Sequence, residues 1–173
     1  LALNGTQLYV DAGIILQNGA VINGGAPLKA NSDGLYIYTP DSGTIASSIQ
    51  NNGANSKALY KAGTGTLTLS GGNSYTGGTI VHEGTLNLAK AADGSGNATV
   101  RGALTVKTGA TVNTTASDAI GWNTSNSITT ITVTGGTFNN STANNQGYVT
   151  NFVLEGGTVS SSGGGAINFT TGK

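Results

Sequence analysis

The feature that most constrains this chain is a recurring phrase of glycine, a small residue, and an apolar pair split by a polar residue. Three copies align without gaps: Gly65-Thr66-Leu67-Thr68-Leu69, Gly84-Thr85-Leu86-Asn87-Leu88 and Gly102-Ala103-Leu104-Thr105-Val106. A longer pair follows, in which Ile131-Thr132-Val133-Thr134-Gly135-Gly136-Thr137-Phe138 returns as Phe152-Val153-Leu154-Glu155-Gly156-Gly157-Thr158-Val159. Looser echoes stand at Gly19-Ala20-Val21, Gly109-Ala110-Thr111-Val112 and Gly165-Ala166-Ile167-Asn168-Phe169.

Successive side chains of a strand point to opposite sides, so alternation such as Leu86-x-Leu88 marks a strand buried on one face only. Short strands of this kind, separated by Gly, Asn and Ser clusters at a drifting period of about 20 residues, predict an all-β solenoid with stacked turns around an apolar axis. At about 20 residues per turn the 173 residues give eight or nine rungs, each rising about 4.8 Å. A β-sandwich or barrel would place a hairpin at each junction, whereas here whole multi-strand units resemble one another. The gapless alignment predicts interior ladders Leu67/Leu86/Leu104 and Leu69/Leu88/Val106. It also places Arg101 one rung after Glu83, as an external ion pair.

Composition narrows the function. Charged residues make up only 8% of the chain and cancel at seven of each sign, which gives nucleic acid no basic surface to bind. Disorder is a poor reading, because Thr, Val and Ile are abundant among the small polar residues. There is no cysteine, hence no disulfide framework or thiolate metal site, and no apolar run approaches the roughly 20 residues of a membrane-spanning helix. The chain contains no methionine and does not begin like a signal peptide, so we expect a single solenoid segment, 1–173, of a longer protein. Both ends read as rungs, with Leu1, Leu3, Leu8 and Val10 at one end and Ile167 and Phe169 before Lys173 at the other. We therefore expect end-to-end self-association through uncapped edges.

Chemistry-bearing residues are sparse. His82 is the only histidine, and without a second His or any Cys it makes no zinc site. Asp93-Gly94-Ser95-Gly96-Asn97 has the look of half a calcium loop but is not repeated, and a turn is expected there. The carboxylates Asp11, Asp33, Asp41, Glu83, Asp93, Asp118 and Glu155 fall in different registers, which argues against the paired carboxylates of a glycosidase. No catalytic residue, cofactor or metal is assigned. Tyr36 and Tyr38, which Leu35-Tyr36-Ile37-Tyr38 puts on one strand face opposite two apolar residues, are candidate surface contacts or else cover a rung end or pack under a loop, and Trp122, which sits between repeats, is either a contact point or a loop plug. Exposed aromatic pairs of this kind can stack on sugars, and the candidate partner is a host or cell-surface ligand or glycan.

Residues 59–88, Leu59-Tyr60-Lys61-Ala62-Gly63-Thr64-Gly65 through Tyr75-Thr76-Gly77-Gly78-Thr79 to Gly84-Thr85-Leu86-Asn87-Leu88, resemble the autotransporter-associated β-strand repeat almost position by position. The resemblance implies a right-handed parallel β-helix, exported through the outer membrane of a Gram-negative bacterium and displayed at its surface, in which the repeat assists folding and export. Taken with the residues, it implies a structural or adhesive surface module, stalk or fibre, without enzymatic activity. The alternative is a carbohydrate-active or carbohydrate-binding β-helix.

Overall fold

The alternating pairs form one-faced strands, and every strand pairs in parallel with the strand one turn away. The computed structural model describes residues 1–122, 126–149 and 151–169, and these contain nineteen strands and no helix. The strands are numbered in chain order. One face of the coil is a seven-stranded sheet: β2 (Gly13–Ile15), β5 (Gly34–Tyr38), β8 (Ala58–Ala62), β10 (Thr79–Val81), β12 (Gly102–Val106), β14 (Ile128–Thr134) and β17 (Asn151–Glu155). A second seven-stranded sheet holds β3 (Ala20–Ile22), β6 (Ser42–Ile45), β9 (Thr66–Leu69), β11 (Gly84–Leu88), β13 (Ala110–Thr114), β15 (Thr137–Asn140) and β18 (Thr158–Ser161). The third face carries β1 (Leu8–Val10), β4 (Leu28–Ala30) and β7 (Ile49–Gln50) at one end, and β16 (Gln146–Val149) with β19 (Ile167–Phe169) at the other.

This is a parallel β-solenoid of about seven turns, fewer than the eight or nine expected. Most turns are longer than the sequence repeat suggests. The step from Leu67 to Leu86 matches that repeat, but those from Leu86 to Val112 and from Val112 to Phe138 are longer. Their outward neighbours Asn87, Asn113 and Asn139 follow one another at a chain separation of 26. Seven stacked strands at about 4.8 Å make a rod roughly 30 Å tall.

The same lengthening corrects the predicted ladders. Leu67 and Leu86 are neighbours, and so are Leu69 and Leu88, but the next members are Val112 and Thr114. Leu104 and Val106 instead lie on the first sheet, beside Thr79 and Val81. In this region a turn contains two strands that begin with the same glycine phrase, and the gapless alignment matched a strand of one sheet to a strand of the other. The true successor of Gly84-Thr85-Leu86 is the looser echo Ala110-Thr111-Val112. The later pair is as read, with Ile131 beside Phe152, Val133 beside Leu154 and Phe138 beside Val159.

The inward residues form one continuous core, in which Ile45, Leu59, Leu67, Leu86, Leu104, Val112, Ile131 and Phe138 are fully buried. On the outer side of the second sheet Asn113 Nδ2 donates to Asn87 Oδ1 at 3.1 Å, and Asn139 Nδ2 donates to Asn113 Oδ1 at 3.1 Å. Stacking thus puts the amides in register to bond along the rod. The corner before β11 requires glycine at 84, where φ is +68° and a Cβ would stand 2.4 Å from the Gly63 carbonyl oxygen.

The expected Glu83–Arg101 pair does not form. The residue one turn after Gly84 is Ala110, which puts Gly109 after Glu83, and Arg101 donates from Nη1 to Asn126 Oδ1 at 3.0 Å. Lys173 and the rest of 170–173 lie outside the described residues.

Candidate functional site: an aromatic outer face above a polar-stapled repeat

Alternation in β5 sends Leu35 and Ile37 into the core, each 1% exposed, and turns Tyr36 and Tyr38 outward at 43% and 48%. Register then brings together residues that are far apart in sequence. Tyr36 is flanked by Gly13 on one side and Tyr60 on the other, while Tyr38 lies between Ile15 and Ala62. The amide of His82 donates to the Lys61 carbonyl at 2.9 Å, which continues the outer row past Ala62.

The rings of Tyr36 and Tyr60 stack with centroids 4.5 Å apart and planes 7° from parallel. That separation is close to the spacing of adjacent strands, so the ladder itself stacks the rings. His82 continues the stack diagonally, 6.4 Å from Tyr60 at 23°. Gly13, Ile15, Tyr36, Tyr38, Tyr60 and His82 line a groove of about 360 Å³ on this face. At its rim the Tyr36 hydroxyl faces Asp33 Oδ1 at 3.4 Å. Desolvation of the phenol and the Asp33 carboxylate both push the Tyr36 pKa up.

Trp122, the third expected contact, does not join this groove. It is 47% exposed and lies against the turn at Gly96, where its amide donates to the Gly96 carbonyl at 3.0 Å. A Cβ on Gly96 would come within 2.6 Å of the indole, so the glycine is what lets the ring settle there.

Asp93 accepts from the amides of Ser95 and Asn97 at 2.9 and 3.2 Å and from Asn97 Nδ2 at 2.7 Å, which makes the 93–97 segment a self-bonded turn. The hydrogen bond from the Asn97 side chain is the main reason that the Asp93 carboxyl is held below its ordinary range. Of the other carboxylates, Asp11 accepts from Asn31 Nδ2 at 2.7 Å, and Asp41 accepts the amides of Asn18 and Ser42. Among the described residues no group of three His, Cys, Asp or Glu converges.

Sequence reasoning missed the polar groups inside the stretch 59–88, which spans about one and a half turns. Lys61 occupies an inward position between Ile37 and Val81 and is fully buried. Its Nζ, with three N–H donors, lies within hydrogen-bonding reach of four carbonyls: those of Gly63, of Gly65 at 2.8 Å, of Ala62 at 3.2 Å and, one turn on, of Glu83 at 2.9 Å. Burial lowers its pKa to about 8, against a smaller upward pull from the Glu83 carboxylate. Asn73, also buried, accepts from the Ile49 amide at 2.8 Å in the preceding turn and donates to the Thr99 carbonyl at 2.7 Å in the next. Tyr75 is buried with its hydroxyl 2.6 Å from Thr79 Oγ1. The available signal was Leu59-x-Lys61: strict alternation already sent the lysine inward.

Residues 59–88 match the family model of the passenger-associated transport repeat, so the stretch that Lys61, Asn73 and Tyr75 staple is also the recognised repeat. A stretch of 77 residues is 39% identical to the protein described as "Adhesin BmaC autotransporter" from Brucella suis biovar 1 (strain 1330), covering 42% of this chain and 2% of that protein. No solved structure matches. The chain therefore resembles autotransporter passenger domains, and it spans only a small fraction of the relative's length.

Proposed function

We propose that this chain is a surface-displayed module of an autotransporter-like adhesin in a Gram-negative bacterium. In this reading the solenoid acts as a rigid spacer and the outer face of the first sheet makes the contacts. The observation that carries it is the aromatic groove of Tyr36, Tyr38, Tyr60 and His82, set on a sheet whose strands are each fixed by the next. Exposed aromatic side chains gathered on a rigid face are what a contact surface requires. The name of the relative and the matched repeat support the adhesive class and the surface location.

Association of rods end to end belongs to the same reading. Leu154 sits at an inward register, beside the fully buried Val133, yet is 51% exposed on the outermost strand of its sheet. An apolar edge of this kind is covered by the next coil, whether that coil belongs to a continuing chain or to another rod.

Beads coated with the purified chain test the adhesive reading on cultured host cells. Attachment above that of beads carrying an unrelated β-solenoid supports it, and attachment no better than the control refutes it. A reducing-sugar assay across bacterial, plant and host polysaccharides tests the enzymatic alternative, with no release expected.

A further inference from the structure

The stack of rings on the outer face has one open end. Tyr60 covers one side of Tyr36, and their planes lie nearly parallel and across the direction of the ladder. The other side of Tyr36 faces β2, where its register partner is Gly13, which has no side chain. A Cβ there would come within 2.9 Å of the Tyr36 carbonyl oxygen and 3.2 Å of its Cβ, so the backbone approach keeps this place in the row open. Beside the open place stands Ile15, 68% exposed.

We propose that the open face of Tyr36 is a saccharide subsite that seats one uncharged pyranose ring. The inference rests on reading the outer face as a contact surface and specifies its ligand. An aromatic face is the negative side of the ring quadrupole, and it attracts the weakly positive C–H groups that a pyranose gathers on one of its faces. A flat, open ring face bounded by an aliphatic side chain suits that shape. A quaternary ammonium is instead held by rings that enclose it, and a parallel stack offers one face without enclosure.

The polar groups point the same way. The groove's lining holds no Lys, Arg, Asp or Glu among the described residues, and the one charge at its rim, the Asp33 carboxylate, repels an anion, which disfavours a phosphorylated ligand. The hydroxyls of Tyr36, Tyr38 and Tyr60 and the imidazole of His82 supply donors and acceptors around an apolar floor. Asp33, at the Tyr36 hydroxyl, adds a carboxylate that accepts from sugar hydroxyls. A volume of about 360 Å³ is at the small end of ligand sites, the scale of one or two sugar rings.

The test uses the full chain and an array of uncharged oligosaccharides of gluco-, galacto-, manno- and N-acetylhexosamine type, with choline as a cationic probe. Hits are titrated by calorimetry. The expected result is binding of at least one neutral saccharide, weakened about tenfold in Tyr36→Leu and unchanged in Trp122→Leu, the loss expected for one aromatic stacking contact. Thermal melts confirm that both variants are folded, and Ile15→Ser provides a second outer-face variant that should also weaken binding. Absence of any saccharide binding, binding of choline alone, or equal binding by Tyr36→Leu and the parent chain would overturn the proposal. If beads coated with Tyr36→Leu still attach to cells as the parent does, this subsite is wrong and the adhesive reading stands. If the parent fails to attach, the adhesive reading fails whatever the array shows.

Discussion

Lys61 Nζ lies 2.9 Å from the carbonyl oxygen of Glu83, a residue of the following turn, so one buried ammonium ties two layers of the coil together. The same nitrogen holds the Gly63 and Gly65 carbonyls of its own corner. A stack of parallel strands is bonded along its sheets, and its corners are where backbone carbonyls have no regular partner. The lysine adds a donor there from inside, while the Gly65 and Ala62 carbonyls also accept the Thr85 and Thr39 amides.

Replacing Lys61 by Met keeps most of the volume and leaves carbonyls at two corners without this donor. Each carbonyl left unsatisfied costs about 1 to 3 kcal/mol, and removal of the buried charge offsets part of the loss. We expect Lys61→Met to lower the denaturation midpoint without changing the fold, as read by urea unfolding and circular dichroism.

The pH dependence has a definite sign. The Lys61 pKa is about 8 in the folded chain, against 10.5 for the ordinary side chain, so between these values the unfolded chain binds the extra proton. Stability contributed by this group therefore rises as pH increases from about 8 to about 10.5. Tyr75 acts oppositely, because burial raises its pKa above the ordinary 10.0 and the folded chain resists its ionisation as pH climbs past that value. Urea midpoints measured against pH should lose the rise in Lys61→Met and lose the decline above pH 10 in Tyr75→Phe.

Asn73 bridges the turn before it and the turn after it, which Ala cannot do. Asn73→Ala leaves the Ile49 amide and the Thr99 carbonyl without these bonds, at about 2 to 6 kcal/mol for the two groups. Hydrogen exchange should show the Ile49 amide losing its protection first.

Leu86 is fully buried between Leu67 and Val112, and Leu86→Ala should cost about 2 to 5 kcal/mol. On the opposite face Asn87→Ala removes only the end of the asparagine row, about 0.5 to 1.5 kcal/mol. Equal losses in denaturant melts would contradict the inward and outward assignment.

Alternation made the class of fold legible, along with the burial of Leu35 and Ile37 and the exposure of Tyr36 and Tyr38, because side-chain direction in a strand is a local property. Turn length was not legible. Nothing local distinguishes the Gly102 strand from the strand after Gly109 as successor to the Gly84 strand, since both carry the same phrase, and only pairing in space decides. The groove was half visible for the same reason: Tyr36 and Tyr38 share a strand, whereas Tyr60 and His82 join them through register. Lys61 and Asn73 were passed over because polar residues in a polar-rich sequence are expected outside. Their partners are backbone carbonyls and amides, which leave no mark in the side-chain pattern.

The stacked tyrosines, the buried staples and the core all depend on which residue follows which from turn to turn, and paired cysteines measure this directly in a chain that has none of its own. Adjacent outward positions on parallel strands lie within the Cα separation of about 4.4 to 6.8 Å that a disulfide spans. Rapid oxidation of Asn87→Cys/Asn113→Cys to an intramolecular bridge is expected in the folded chain, and none for Asn87→Cys/Thr105→Cys, the pair that gapless alignment of the repeats would favour. A bridge in the second variant and none in the first would contradict the register, and with it the stacked tyrosines and the groove built on them.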